Sequence, residues 1–137
     1  MNMKIHHVAV YVQDLEISRE YYEKYFGAES NELYHNKKTG LKTYFLSFDN
    51  GCKVEIMSRP GVLNRDNSVE QTGYLHLAFI AGDKNAVDLL TDRIRGDGFT
   101  VYSEPRVTGD GYYESNVADP DGNSVEIIMN PECKLPV

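Results

Sequence analysis

KIHHVAVYV (residues 4–12), followed by QDLEISREYYEKYFG (residues 13–27), decides the fold. The first stretch alternates as a strand does. Ile5, His7, Ala9 and Tyr11 share one side, and His6, Val8, Val10 and Val12 share the other. The second stretch carries Ile17, Tyr21, Tyr22 and Tyr25 near helical spacing, which predicts a helix from about Asp14 to Phe26, stopped by Gly27. The valine side of the strand is the natural seat for that helix, leaving His7 on the opposite face.

Working outward, Thr43–Phe48 and Cys52–Met57 read as two further strands joined by Asp49-Asn50-Gly51, where Asn-Gly is a strong hairpin signal. In the second of these, Val54 and Ile56 face one way, and Lys53, Glu55 and Met57 the other. Packing of Val54 and Ile56 under the helix puts Glu55 on the same sheet face as His7. The polar, turn-prone stretch SRPGVLNRDNSVEQTG (residues 58–73) then interrupts the pattern and reads as a linker.

The pattern restarts beyond it. Tyr74–Ile80 forms a strand, and a helix from about Asp83 to Arg95 carries Val87, Leu90 and Ile94 and stops at Gly96 or Gly98. Thr100–Tyr102, Tyr112–Ala118 and Ser124–Met129 follow as strands, the last entered through the turn Asp119-Pro120-Asp121-Gly122. The order β-α-β-β-β therefore occurs twice in one α+β domain, with modules at about residues 4–58 and 74–130 and a linker at 59–73. In the second module Leu75, Leu77 and Phe79 form the bulky helix-facing set. His76 is left opposite with Ala78 and Ile80, and Glu126 opposite Val125 and Ile127.

Two His…Glu pairs result, His7…Glu55 and His76…Glu126, separated by 48 and 50 residues and directed to the face away from the helices. Two nitrogens and two oxygens suit a borderline divalent ion: Zn²⁺, Ni²⁺, Co²⁺, Mn²⁺ or Fe²⁺. A polar quartet on a concave sheet face needs mutual satisfaction, which a metal supplies. By strand parity Tyr11, Phe45, Met57 and Tyr113 line the cavity. His6 reads as a strand residue near a helix or partly exposed, and His35 as a loop histidine. Gly109-Asp110-Gly111 is either a lid over the pocket or a plain exposed loop.

Composition bounds the partners. The 137 residues carry a formal charge of −7, so no basic stripe is available to neutralise nucleic-acid phosphates. No apolar run reaches membrane-spanning length and the start MNMKIHH lacks a signal-peptide core, so the sequence reads as cytoplasmic and free of membrane. Cys52 and Cys133 have neither metal-ligand nor redox spacing and read as ordinary thiols. No glycine pattern matches a dinucleotide or phosphate-binding loop.

HHVAVYVQDLEISREYYEKYFGAE near the start, KVEIM at Glu55, GYLHLAF at His76 and GYYESNVADPDGNSVEII near the end resemble the vicinal-oxygen-chelate superfamily. That superfamily includes glyoxalase I, methylmalonyl-CoA epimerase, fosfomycin-modifying enzymes, extradiol dioxygenases and bleomycin-sequestering proteins. The resemblance covers about residues 4–130. It implies two βαβββ modules forming a curved mixed sheet around an inner metal-binding cavity, often in a homodimer. It also implies that His7, Glu55, His76 and Glu126 are metal ligands of the glyoxalase I type. In such a site the ion holds two adjacent substrate oxygens, and a carboxylate beside it, Glu126 or secondly Glu55, moves the proton.

Departures from the glyoxalase I pattern fall in the substrate region. Tyr11 stands where an arginine for the glutathione carboxylate is frequent, and Arg59 where an asparagine is common. Arg59 or Arg106 could meet an anionic small-molecule substrate instead. Glu55 in place of a glutamine, and Lys37, Lys38 and Thr39 where a catalytic glutamate is expected, count against the epimerase. The fourth ligand and short chain count against an extradiol dioxygenase. An intact quartet makes pure sequestration, as in bleomycin-binding relatives, the secondary expectation.

Overall fold

The computed structural model describes residues 1–49 and 51–133. The chain divides between Arg65 and Asp66 into two compact units. Asn50, on which the tight-turn reading of Asp49-Asn50-Gly51 depends, lies outside the described residues. No helix among the described residues is long and apolar enough to cross a membrane.

In the first unit, β1 (His7–Tyr11) leads into α1 (Leu15–Phe26). Asp14 caps the helix by accepting a hydrogen bond from Ile17 N at 3.0 Å. Gly27 ends it at φ +66°, a left-handed conformation that a side chain would resist. The buried stripe is Leu15, Ser18, Tyr21, Tyr22 and Tyr25. Ile17, expected on that stripe, is 52% exposed, because one position before Ser18 it is turned about 100° away around the axis.

Short strands β2 (Glu29–Ser30) and β3 (Tyr34–His35) precede the hairpin of β4 (Lys42–Ser47) and β5 (Lys53–Ser58). His35 thus pairs with Lys42 at a strand position rather than standing in a loop. The sheet runs β1-β5-β4-β2, with β3 also on β4. Pairing of β1 with β5 is parallel and the other pairings are antiparallel. Helix α1 packs mainly on β4 and β5, over Leu46, Val54 and Ile56, rather than on β1. The expected seat on the valine face is therefore displaced toward the sheet centre, where Leu46, Val54 and Ile56 are buried.

The second unit repeats the path. β6 (His76–Gly82) is followed by α2 (Lys84–Gly96), β7 (Val101–Val107), β8 (Tyr113–Ala118), β9 (Ser124–Met129) and a 3-10 turn at Pro131–Cys133. The sheet order is β6-β9-β8-β7, and β6 pairs with β9 in parallel. Helix α2 contacts all four strands. Asp83 caps it by accepting from Ala86 N at 2.9 Å. Its buried residues are Val87, Thr91 and Ile94, with Leu90 only half-buried.

Two expectations change in this unit. β6 begins at His76 rather than Tyr74, because its ladder with β9 starts at the His76–Ser124 pair. Leu75 precedes that ladder and is 77% exposed, so it is not in the helix-facing set. β7 extends through Pro105 to Val107, well beyond Tyr102. It is an edge strand with register shifts against β8, and an edge tolerates a residue without an N–H.

Both units are thus βαβββ-like modules with a mixed sheet: the first carries one strand more, giving five, and the second has four. Gly109-Asp110-Gly111 forms the β7–β8 turn. Thr108 N donates to Tyr112 O at 2.7 Å and Gly111 N to Thr108 O at 3.0 Å.

Candidate metal centre

Parallel pairing places side chains of facing residues on one side of a sheet, so the two first strands and two last strands define each ligand face. In the first module Ala9 faces Glu55, and His7 lies two residues before Ala9. In the second, Ala78 faces Glu126, and His76 lies two residues before Ala78. Each module therefore builds the same diagonal: a histidine, a small alanine, and a glutamate on the neighbouring strand.

The diagonals close to similar distances. His7 Nε2 is 3.7 Å from Glu55 Oε1, and His76 Nε2 is 3.4 Å from Glu126 Oε2. Two ligands each ~2.1 Å from one ion, at a tetrahedral angle, stand ~3.4 Å apart. The donor types and the spacing within each pair thus fit a divalent ion. Among the described residues no group of three or more His, Cys, Asp or Glu is gathered to hold a metal.

His7 is further fixed by its neighbours. Its Nδ1 lies 2.8 Å from His6 Nδ1, and its ring meets Phe45 edge-on with centroids 5.2 Å apart. His6 is exposed rather than packed near a helix. Phe45 faces Glu55 on β4, so it shares the ligand face. Met57 faces Tyr11 on the same side, and the Arg59 guanidinium lies 5.9 Å from the Tyr11 ring centroid.

The second module's ligand face contains a carboxyl that the sequence reading omitted. Glu114 on β8 faces Ile128, and Asn116 faces Glu126. Burial, a hydrogen bond with Glu126 and the Glu126 charge push the Glu114 carboxyl up to about 7, against the opposing pull of Arg106. Arg106 faces Glu114 from β7. Ser124 Oγ donates to Asn116 Oδ1 at 2.8 Å. Glu114 can therefore hold or release a proton near neutrality beside Glu126.

Tyr113 corrects the parity reading. It is buried on the helix side of β8, and its hydroxyl donates to Asp88 Oδ1 of α2 at 2.5 Å. It does not share the face of Glu114 and Glu126. The signal was weak because Glu114, Ser115 and Asn116 are consecutive polar residues, which give no apolar alternation to mark the inside. Register counted back from the Ala118–Ser124 pair assigns the face correctly. A recess of 350 Å³ also lies on the helix side, lined by Asp83, Lys84, Asn85, Asp88, Met129 and Cys133.

Two βαβββ-like modules in one chain, each carrying one His–Glu diagonal on the sheet face away from its helix, define a class of protein built from duplicated halves. The chain belongs to the Glyoxalase/Bleomycin resistance protein/Dioxygenase superfamily, whose family model matches residues 4–127. It is similar to the Bacillus subtilis protein YqjT, 29% identical over 132 residues, covering 94% of this chain and 100% of the relative. It is also similar to lactoylglutathione lyase GLX1 of Arabidopsis thaliana, 30% identical over 143 residues, covering 98% of this chain and 48% of that enzyme. Among solved structures, glyoxalase I of Zea mays matches with TM-score 0.77 and 28% identity, covering 93% of this chain and 44% of the maize chain. The chain thus spans about half the length of these two plant enzymes.

Proposed function

We propose that this protein is a metal-dependent lyase of the lactoylglutathione lyase type, converting the hemithioacetal of a 2-oxoaldehyde and a thiol into a 2-hydroxyacyl thioester. The observation that carries the reading is the repeated diagonal, with His Nε2 at 3.7 and 3.4 Å from a glutamate oxygen. His7, Glu55, His76 and Glu126 would together hold one divalent ion in an inner cavity, with the modules supplied by one chain or by two copies in a homodimer. Such an ion supplies Lewis acidity toward two adjacent substrate oxygens and makes the neighbouring C–H more acidic.

Glu126 takes the proton from that carbon and returns it to the adjacent one, with Glu55 as the second candidate. Tyr11, Phe45, Met57 and Arg59 would line the substrate region from the first module, and Arg106 would meet an anionic group from the second. The likeness to lactoylglutathione lyase GLX1 supports the reaction class.

A second reading is small-molecule sequestration by the same fold, favoured by the absence of three gathered ligands among the described residues. The test is metal content of protein purified without chelator, then reconstitution and assay of 2-oxoaldehyde consumption with glutathione, bacillithiol or coenzyme A. Near-stoichiometric metal, with activity lost in Glu126→Gln, is expected. A folded protein that refuses divalent ions would sink the lyase and leave sequestration.

A further inference from the structure

We infer that His6 is a positioning residue for His7: it accepts the His7 Nδ1–H hydrogen bond and so leaves the His7 Nε2 lone pair facing Glu55. The inference rests on the metal-centre reading and adds to it a residue outside the ligand set.

Two Nδ1 atoms 2.8 Å apart form a hydrogen bond only if one carries the proton and the other does not. If His6 donated, neutral His7 would carry its own proton on Nε2, the atom 3.7 Å from Glu55. A protonated Nε2 has no lone pair for a metal, so that arrangement does not suit the metal-centre reading. If His7 donates, its Nε2 is a lone-pair donor without further rearrangement. Outer partners that fix a ligand imidazole in this way commonly govern affinity as well as orientation.

The surroundings make His6 free for this task. It precedes β1, its side chain is exposed, and its backbone carbonyl accepts from Lys53 N at 3.1 Å, a bond that any residue retains. Phe45 meets the His7 ring edge-on, which restrains the ring's tilt and leaves the choice of tautomer to His6. At the equivalent position of the second module Leu75 precedes His76, and its side chain cannot accept a hydrogen bond. The two otherwise similar half-sites therefore differ in how their imidazoles are set.

The test combines ring ¹⁵N spectra of metal-free, histidine-labelled protein with calorimetric titration by Zn²⁺, using the wild type, His6→Ala and His6→Asp; His7→Gln assigns the His7 signals. The wild type is expected to show His7 protonated at Nδ1. His6→Ala should move His7 toward the Nε2–H tautomer and weaken Zn²⁺ binding about tenfold or more. His6→Asp, which can only accept at neutral pH, should restore both. A wild-type His7 protonated at Nε2, or Zn²⁺ affinity unchanged in His6→Ala, overturns the inference while leaving the metal centre in place. A folded wild type that binds no Zn²⁺ overturns the metal-centre reading and this inference with it.

Discussion

Glu114 shares a hydrogen bond with Glu126 on the neighbouring strand, and its burial together with this contact makes the second module sensitive to pH in the metal-free state. The Glu114 carboxyl is raised from 4.5 to about 7, so the folded state holds a proton that the unfolded chain releases earlier. The associated stability is fully present below pH 4.5 and is lost as pH rises through about 7. Glu114→Gln should flatten this dependence in chelator and exceed the wild type by about 1–2 kcal/mol at pH 8, after allowance for partial exposure. Thermal denaturation across pH 5–8 checks it, and parallel curves for the two proteins would refute the shared proton.

Ala78 sits on the diagonal between His76 and Glu126, and its small side chain keeps that ground open. Ala78→Leu should fill it and weaken Zn²⁺ binding at least tenfold, since ligand geometry tolerates little displacement. Ala78 is exposed, so metal-free stability should change by no more than about 0.5 kcal/mol. Ala78→Ser is the tolerated control. Equal Zn²⁺ affinity in Ala78→Leu and wild type would remove His76 and Glu126 from the ligand set.

Much of this arrangement was legible because strand and helix periods differ. Val54 and Ile56 fixed the face of Glu55, Val125 and Ile127 fixed that of Glu126, and Asp14 and Gly27 marked both ends of α1. Elsewhere the sequence signal failed for physical reasons. Two-residue strands β2 and β3 are too short to show alternation, and Pro105 hid a strand that an edge position permits. Tyr113 was misjudged and Glu114 passed over because the inward set of β8 includes polar Ser115, whose acceptability depends on a partner in α2. Such pairing is set by tertiary contact, which local pattern does not encode.

That partner is Thr91, and the pair carries its own prediction. Thr91 Oγ1 donates to Val87 O at 2.7 Å, so its single proton is committed and Ser115 must donate across the 2.7 Å contact between the hydroxyls. Thr91→Val would leave the buried Ser115 hydroxyl without this acceptor, at a cost of about 1–3 kcal/mol. Thr91→Val with Ser115→Ala removes both polar groups and should regain a large part of that loss. Denaturant titration of both single variants and the double variant measures the coupling; simple additivity would contradict it.

Asp119 controls how the chain enters β9, and therefore where Glu126, the third residue of that strand, is placed. Its Oδ1 accepts from Asp121 N at 2.9 Å and Asn123 N at 2.8 Å, while Oδ2 accepts from Asn123 Nδ2 at 3.1 Å. The residue is only 4% exposed, so water cannot replace these bonds without opening the turn. Asp119→Ala should cost about 2–4 kcal/mol, whereas Asp119→Asn, which keeps one acceptor oxygen, should fall between it and the wild type. Because Glu126 lies only three residues beyond Asn123, loosening the turn should also weaken Zn²⁺ binding at temperatures where the variant remains folded. Reduced stability with unchanged Zn²⁺ affinity would show that the β8–β9 ladder alone positions Glu126, and that the turn serves folding without shaping the site.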